Sequence, residues 1–313
     1  MLVVRSIAEI PFDRRSVVTV GTFDGVHLGH QKIIEQVRKQ SQARNARSVL
    51  VTFDPHPREV VGRGPVKLLT TVDERIALLI QWGIDAVIVL EFTFEFSRQS
   101  YREFCENYIV DGVGVEQVIV GHDHMFGRDR EAGVQELRVM GEQFGFTVYQ
   151  EPPFTIDGEI VGSSKIREVL LRGDVEKARH WLGRSYVLTG WVVKGDGRGG
   201  SIGFPTANIQ TQNERKLIPA EGVYFAEVEL EGKSLFGMLN IGIRPTFKDD
   251  NVRTIEVHLF DHSENVYGKI LRVHFLRRLR GERKFASREA LAEQLRRDQN
   301  QCMKFIEANE QIR

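Results

Sequence analysis

Residues 27 to 30 read HLGH, two histidines three apart around Gly29, directly after the turn GTFDGV at 21–26. Such a pair could hold a metal, move protons or grip an anion. A second concentration of chemistry lies at 195–208, GDGRGGSIGFPTAN, where a glycine-rich stretch leads into Thr206 and Asn208. Further on, Glu256 in TIEVHLF is a carboxylate set in an alternating apolar run. The segment GSSKIREVLLRG (162–173) puts Ser163, Ser164, Lys165 and Arg167 at a helix start, where hydroxyls cap and cations neutralise phosphate.

Each feature also has a plainer explanation. The histidines could be ordinary helix-start residues, the glycines a loop without a ligand, Glu256 a solvent-facing strand residue, and GSSKIR an N-cap with solvated charges. No Cys or Glu set with zinc spacing completes a metal site around the histidines. No GxxxxGK[ST] loop occurs anywhere in the chain. Gly195, Gly197 and Gly200 formally satisfy GxGxxG, but no helical pattern follows and Pro205 arrives within five residues, which excludes a dinucleotide fingerprint.

The elements that must position these residues fall into two rhythms. Up to about residue 182, short apolar runs (17–20, 49–53, 86–92 and 118–123) alternate with amphipathic segments, the pattern of a parallel sheet covered on both faces. Thr71–Glu74 and Ser100–Glu103 have capping-box spacing, and Gly83 supplies a stop. Strand and helix in alternation imply right-handed crossovers and a doubly wound α/β domain, with ligands beyond the carboxyl ends of the strands. On that reading the histidines sit after the first strand and at a helix N-terminus, where free N–H groups and the dipole favour phosphate and Gly25 and Gly29 admit a nucleotide against the backbone.

From 186 onward the period is two: Tyr224, Ala226, Val228 and Leu230 interleave with Phe225, Glu227, Glu229 and Glu231, and EGK turns into SLFGMLNIG. More runs at 254–260 and 270–279 point to a small antiparallel barrel or sandwich. Leu291, Leu295, Cys302 and Ile306 mark one face of a terminal helix. The expected domains are 1–182 and 183–313. Glu256 alternates with Ile255, Val257 and Leu259 and therefore shares a strand face with Thr254 and His258.

Lys+Arg 43 balances Asp+Glu 43 over 313 residues, so bulk charge calls for neither nucleic acid nor an anionic membrane, and any anion site is local. The basic cluster at 272–284 reads as a solvated strand edge. The N-terminal apolar run is too short for a signal peptide and no run reaches membrane-span length, so a soluble, cytoplasmic protein is expected. Cys105 and Cys302, the only two cysteines, are expected as buried free thiols.

GTFDGVHLGH carries the HxGH element of the nucleotidylyltransferase superfamily. With TFDPHP (52–57), VGHDHMFGRDREAG (120–133) and GSSKIRE following in order, residues 15–182 resemble the FMN adenylyltransferase module of the bifunctional prokaryotic riboflavin kinase/FAD synthetase family. GDGRGGSIGFPTANI, GVYFAEV, LNIGIRPTF and TIEVHLFD resemble the riboflavin kinase module of the same family, which has a six-stranded barrel and a C-terminal helix. The resemblance implies that His27 and His30 bind ATP phosphates and that Gly21, Phe23, Asp24 and Gly29 shape the adenylate pocket. Asp123, Phe126, Gly127 and Arg130, with Phe53 and Pro55, would serve the nucleotide and flavin; Ser163, Ser164 and Arg167 would bind phosphate. In the second module, Gly195, Gly197, Arg198 and Gly203 would cover the nucleotide, Thr206 and Asn208 would hold Mg²⁺ and ATP phosphates, and Glu256 would be the base. The chain departs from the family pattern in having GSSKIR for SSTxIR and His124 for a phenylalanine. The implied partners are riboflavin, FMN, FAD and ATP, and the implied activity is FAD synthesis from riboflavin. The rival from another class is a flavin-sensing regulator that has lost catalysis; the intact His27, His30, Thr206, Asn208 and Glu256 count against it.

Overall fold

The computed structural model describes residues 1–62, 64–125, 127, 132–195, 203–244 and 252–310. It divides into two compact units, Met1–Ser163 and Ser164–Arg313.

The first unit runs β1 (Leu2–Val4), β2 (Ser16–Val20), α1 (Leu28–Arg44), β3 (Arg47–Asp54), α2 (Pro57–Val60), α3 (Val72–Gln81), β4 (Ala86–Glu91), α4 (Phe94–Ser97), α5 (Tyr101–Phe104), a π-helix (Cys105–Val113), β5 (Gln117–Val120), α6 (Val134–Phe144) and β6 (Thr147–Gln150), then a small hairpin of β7 (Thr155–Ile156) and β8 (Glu159–Ile160). The six main strands form one parallel sheet in the order β1-β4-β3-β2-β5-β6. The order runs outward in both directions from β2, which places the topological switch between β2 and β5.

The apolar runs are continuous because both faces of the sheet are covered. Val18, Val51, Ile88 and Val120 pack on one side with Ile109, Leu137 and Met140. Their neighbours Val17, Leu50, Val87 and Ile119 pack on the other with Ile34, Val37 and Leu79 of α1 and α3. Both expected capping boxes form, at Thr71–Glu74 and Ser100–Glu103. The second opens a helix of one turn that widens at once into the π-helix, whose Cys105 is fully buried; burial pushes that thiol up to about 12.

The boundary falls after the first residue of α7 (Ser163–Leu171), and the second unit continues with α8 (Val175–Leu182), β9 (Tyr186–Val193), β10 (Ala207–Thr211), β11 (Gly222–Leu230), β12 (Lys233–Arg244), β13 (Val252–Leu259), β14 (Ile270–Arg280) and α9 (Arg288–Glu310). The strands close into an antiparallel barrel, β10-β13-β12-β11-β14-β9. Both short helices are bound to it: Ala220 donates its N–H to the Leu170 carbonyl (3.0 Å), and Arg277 of β14 pairs with Glu176 of α8 (2.9 Å).

Alternation sorts the barrel's side chains. Leu188, Tyr224, Val228, Leu239, Ile255, Val257 and Phe275 are buried in the lumen. Phe225, Met238 and Phe260 lie on the outer face in one apolar cluster with Cys302, Phe305 and Leu295 of α9. Phe225 therefore breaks the buried-then-exposed pattern of β11, and its ring meets Phe305 at 6.0 Å. The Cys302 thiol is also pushed up to about 12 by burial.

Candidate active sites

The first site grows from the end of β2, where Gly21 donates its N–H to the Val51 carbonyl (3.0 Å). The chain then turns through Phe23 and Val26, both buried with positive φ (47° and 38°), and through Gly25 at φ 85°, a conformation natural to glycine. Left-handed backbone at two bulky residues is costly and persists only where the surroundings enforce it. Asp24 does so. Fully buried, its carboxylate accepts the N–H groups of Leu69 (3.1 Å) and Thr70 (2.9 Å) and the Thr70 hydroxyl (3.2 Å). Thr70 Oγ1 in turn accepts the Gly25 N–H (2.9 Å), and the Ser163 hydroxyl donates to the Asp24 carbonyl (2.8 Å).

The clamped turn delivers His27 as the N-cap of α1. Its Nδ1 accepts the His30 backbone N–H (3.3 Å), which leaves Nε2 as the protonated nitrogen of the neutral ring. The two imidazoles stack, centroids 3.6 Å apart and planes 19° from parallel, with Phe23 tilted against His30 at 5.0 Å. A Cβ at position 29 would press on the His27 ring at 3.3 Å, so Gly29 is the residue that lets the rings meet. His30 Nδ1 is buried without a hydrogen-bond partner among the described residues. Such an atom costs about 1–3 kcal/mol until something satisfies it. Burial first, then the charges of His27 and Arg75, hold the His30 imidazole well below the ordinary histidine range. A polyanion at the helix N-terminus would reverse the electrostatic part of that penalty and satisfy the nitrogen, so the pair fits a phosphate ligand.

The residues expected at the flavin end lie at neighbouring strand ends. Phe53 closes β3 with its ring edge-on to Phe92 (5.4 Å) and Phe96 (5.9 Å), and Pro55 follows a cis Asp54–Pro55 peptide. Asp123 lies past β5 on an open cavity of about 560 Å³ shared with His124, Met125, Gly133 and Glu136. Gly127 passes so close to Tyr101 that a Cβ would meet it at 2.8 Å. Phe126 and Arg130 lie outside the described residues. Ser164 and Arg167 are on the first turns of α7, in the second unit.

The second site is on the outside of the barrel. Glu256 on β13 is directly opposite Asn208 of β10 on one side and Asn240 of β12 on the other, so the three make one row across three strands. The row faces outward because Ile255 and Val257 fill the lumen. Thr206 Oγ1 donates to Glu256 Oε2 at 3.1 Å. Next along the same face, His258 Nδ1 is 2.8 Å from the Pro205 carbonyl and its ring meets Phe204 edge-on at 5.2 Å, which pins 204–206 against β13. Gly195 passes over Asn208 so tightly that a Cβ would fall 2.0 Å from the amide nitrogen. Gly203 stands at φ 83° just before the pinned segment. Gly197 and Arg198 lie outside the described residues. The hydroxyl, amide and carboxylate of Thr206, Asn208 and Glu256 form an oxygen-bearing set of the kind a hard cation such as Mg²⁺ takes.

Three residues of these sites were not expected from sequence. Thr70, the latch on the Gly25 turn, carries no local signal, since its partner is 45 residues away. Arg75, buried near His30, reads as one more charge on an amphipathic helix. Asn240 shows itself only once the β12–β13 register is known.

The comparisons with known proteins cover both units. A FAD synthetase family model matches residues 9–165 and a riboflavin kinase model matches 182–306. Among curated relatives, the bifunctional riboflavin kinase/FMN adenylyltransferase of Listeria monocytogenes is 36% identical, covering 94% of this chain and 93% of its own. The proteins of that name from Bacillus subtilis (35%, 93% of each chain) and Escherichia coli K12 (33%, 93% and 92%) are similar over the same extent. A solved Streptococcus pneumoniae chain described as a macrolide-efflux protein superposes with a TM-score of 0.87 at 29% identity, covering 96% of this chain and 97% of that one.

Proposed function

The chain belongs to the bifunctional riboflavin kinase/FMN adenylyltransferase family, and from that premise we propose how its own residues divide the synthesis of FAD from riboflavin. The family's substrates and products are riboflavin, FMN, FAD and ATP. The observation that carries the division is that the stacked histidines stand in the Met1–Ser163 unit, whereas Thr206, Asn208 and Glu256 stand together in the other. We assign adenylylation to residues 1–182 and phosphorylation to 183–313. Efflux is not proposed, and no described helix is long and apolar enough to cross a membrane.

Phosphorylation comes first. The ribityl 5′-hydroxyl is a poor nucleophile, so Glu256 accepts its proton as the γ-phosphoryl of ATP moves to that oxygen and ADP leaves. Thr206 holds the carboxylate through Oε2. Thr206 and Asn208 are the residues that would hold Mg²⁺, which when bound supplies neutralisation of the phosphate charge. Gly195 lies against Asn208.

Adenylylation needs no base. The FMN phosphate is already anionic; its oxygen attacks the α-phosphorus of ATP and pyrophosphate leaves, so the task is alignment and charge stabilisation. His27 Nε2–H and the His30 ring donate to the phosphate oxygens, and the start of α1 adds its dipole. Ser163, in the same unit, is assigned to the same phosphates, and Phe53, Pro55, Asp123 and Gly127 to the nucleotide and flavin end; Ser164 and Arg167 are assigned to phosphate binding by the family resemblance.

The test is a chromatographic time course with the full chain, riboflavin and MgATP. FMN accumulates first and FAD follows. Accumulation of neither flavin would replace this reading with a sensor that retains pockets and lacks catalysis.

A further inference from the structure

Arg75 on α3 is 1% exposed and is the bulkiest of the fully buried side chains among the described residues. A guanidinium removed from water costs several kcal/mol unless ion pairs and hydrogen bonds return it. Here its hydrogen-bond partners are neutral: Nη1 donates to Thr52 Oγ1 (2.7 Å) and to the Phe53 carbonyl (3.2 Å). Its Nε is buried without a hydrogen-bond partner among the described residues. Asp24 and Asp54 act on it through space, and the Asp24 oxygens already serve the backbone of Leu69 and Thr70. In the other direction its charge reaches His30.

The partners of Arg75 lead straight to the histidine turn. Thr52, which accepts from Arg75, donates its own proton to the Thr22 carbonyl (3.1 Å), two residues before Asp24 and five before His27. Arg75 thus braces the end of β3 and, through one hydroxyl, the segment that carries the histidines. A neutral donor would make those two bonds at far lower desolvation cost, so the charge itself calls for a reason.

We propose that Arg75 is a positioning residue for adenylyl transfer: it ties the end of β3 to the histidine turn and holds, within electrostatic reach of His30, a buried positive charge that the incoming polyphosphate compensates. The inference rests on the assignment of adenylylation to this unit. With the site empty, the charge opposes a second cation on His30; with phosphate present, that opposition is relieved and the same field favours the developing charge on the leaving pyrophosphate. Arg75 touches no reacting atom and acts through Thr52, Thr22 and its field at His30.

Lysine and glutamine at position 75 separate charge from packing, since lysine keeps the cation without the planar fork and glutamine keeps a donor without the cation. In the full-length protein with MgATP, Arg75→Gln should lower kcat for FMN-to-FAD conversion by roughly 100-fold, the scale of losing one electrostatic stabiliser, with a smaller change in KM for ATP. Arg75→Lys should recover about tenfold of that loss. Riboflavin phosphorylation by the same molecules, assigned to the other unit, should stay at the wild-type rate, and a circular dichroism spectrum and thermal midpoint close to wild type report that the unit holding position 75 is folded. Lysine performing no better than glutamine, or glutamine matching wild type, would reduce Arg75 to packing. A wild-type chain that fails to convert FMN would instead overturn the assignment of the site.

Discussion

His30 gives its backbone N–H to the Nδ1 of His27, and the two rings lie face to face with centroids 3.6 Å apart. One contact fixes the tautomer of the first histidine; the other makes a second positive charge in the stack unfavourable without an anion. The Nδ1 of His30, buried and without a hydrogen-bond partner among the described residues, is an atom that a phosphate oxygen would satisfy.

His30→Ala removes half of this stack. We expect FMN-to-FAD conversion to fall by about 100-fold or more, on the scale of a lost transition-state donor, while riboflavin-to-FMN conversion continues. Assaying the two steps separately, with FMN or riboflavin as the sole flavin, checks it. An unchanged FAD rate would mean that the phosphates bind elsewhere.

Glu256→Gln makes the converse prediction. The amide retains the shape and can still accept from the Thr206 hydroxyl, but it no longer takes a proton. FMN formation should drop by about 100-fold or more, and FMN-to-FAD conversion should persist. Loss of both steps would contradict the division between the units.

Acidification tests the buried imidazole. Because the folded value of His30 is held below the ordinary one, the unfolded chain takes up the proton first as pH falls. The stability tied to this group is therefore complete above about pH 6.5 and is lost below it, at no more than about 1.4 kcal/mol per pH unit, until the folded value is reached. Thermal midpoints of the ligand-free protein between about pH 7.5 and 5.5 should fall more steeply for wild type than for His30→Gln. Parallel curves would show that His30 is not buried in its neutral form.

Much of this arrangement was legible in the residues. The apolar runs announced a sheet covered on both faces, the capping boxes announced two helix starts, and the alternation around Glu256 announced a strand face shared with Thr254 and His258; all three appear as expected. What stayed hidden depends on distant partners or on crowding between layers. The Thr70 latch and the Arg75 brace are set by contacts 45 and 23 residues apart in sequence, so no local pattern carries them. The short edge strand β1 shows only as a parallel partner of β4, and the π-helix replaces the regular helix that follows from the second capping box. Phe225 looked like a polar-face position until α9 covered it.

The barrel carries its polar row on the outside. Ile255 and Val257 fill the lumen, whereas Glu256, Asn208 and Asn240 line up across the outer surface of the same strands. Adjacent residues on one strand therefore answer to separate demands, one set deciding whether the chain folds and the other what it reacts with. The surface to which we assign the kinase step is accordingly an evolvable one: a library that varies Asn240, Thr254 and His258 samples new flavin analogues or phosphoryl donors while the lumen, and with it foldability, is left as it was.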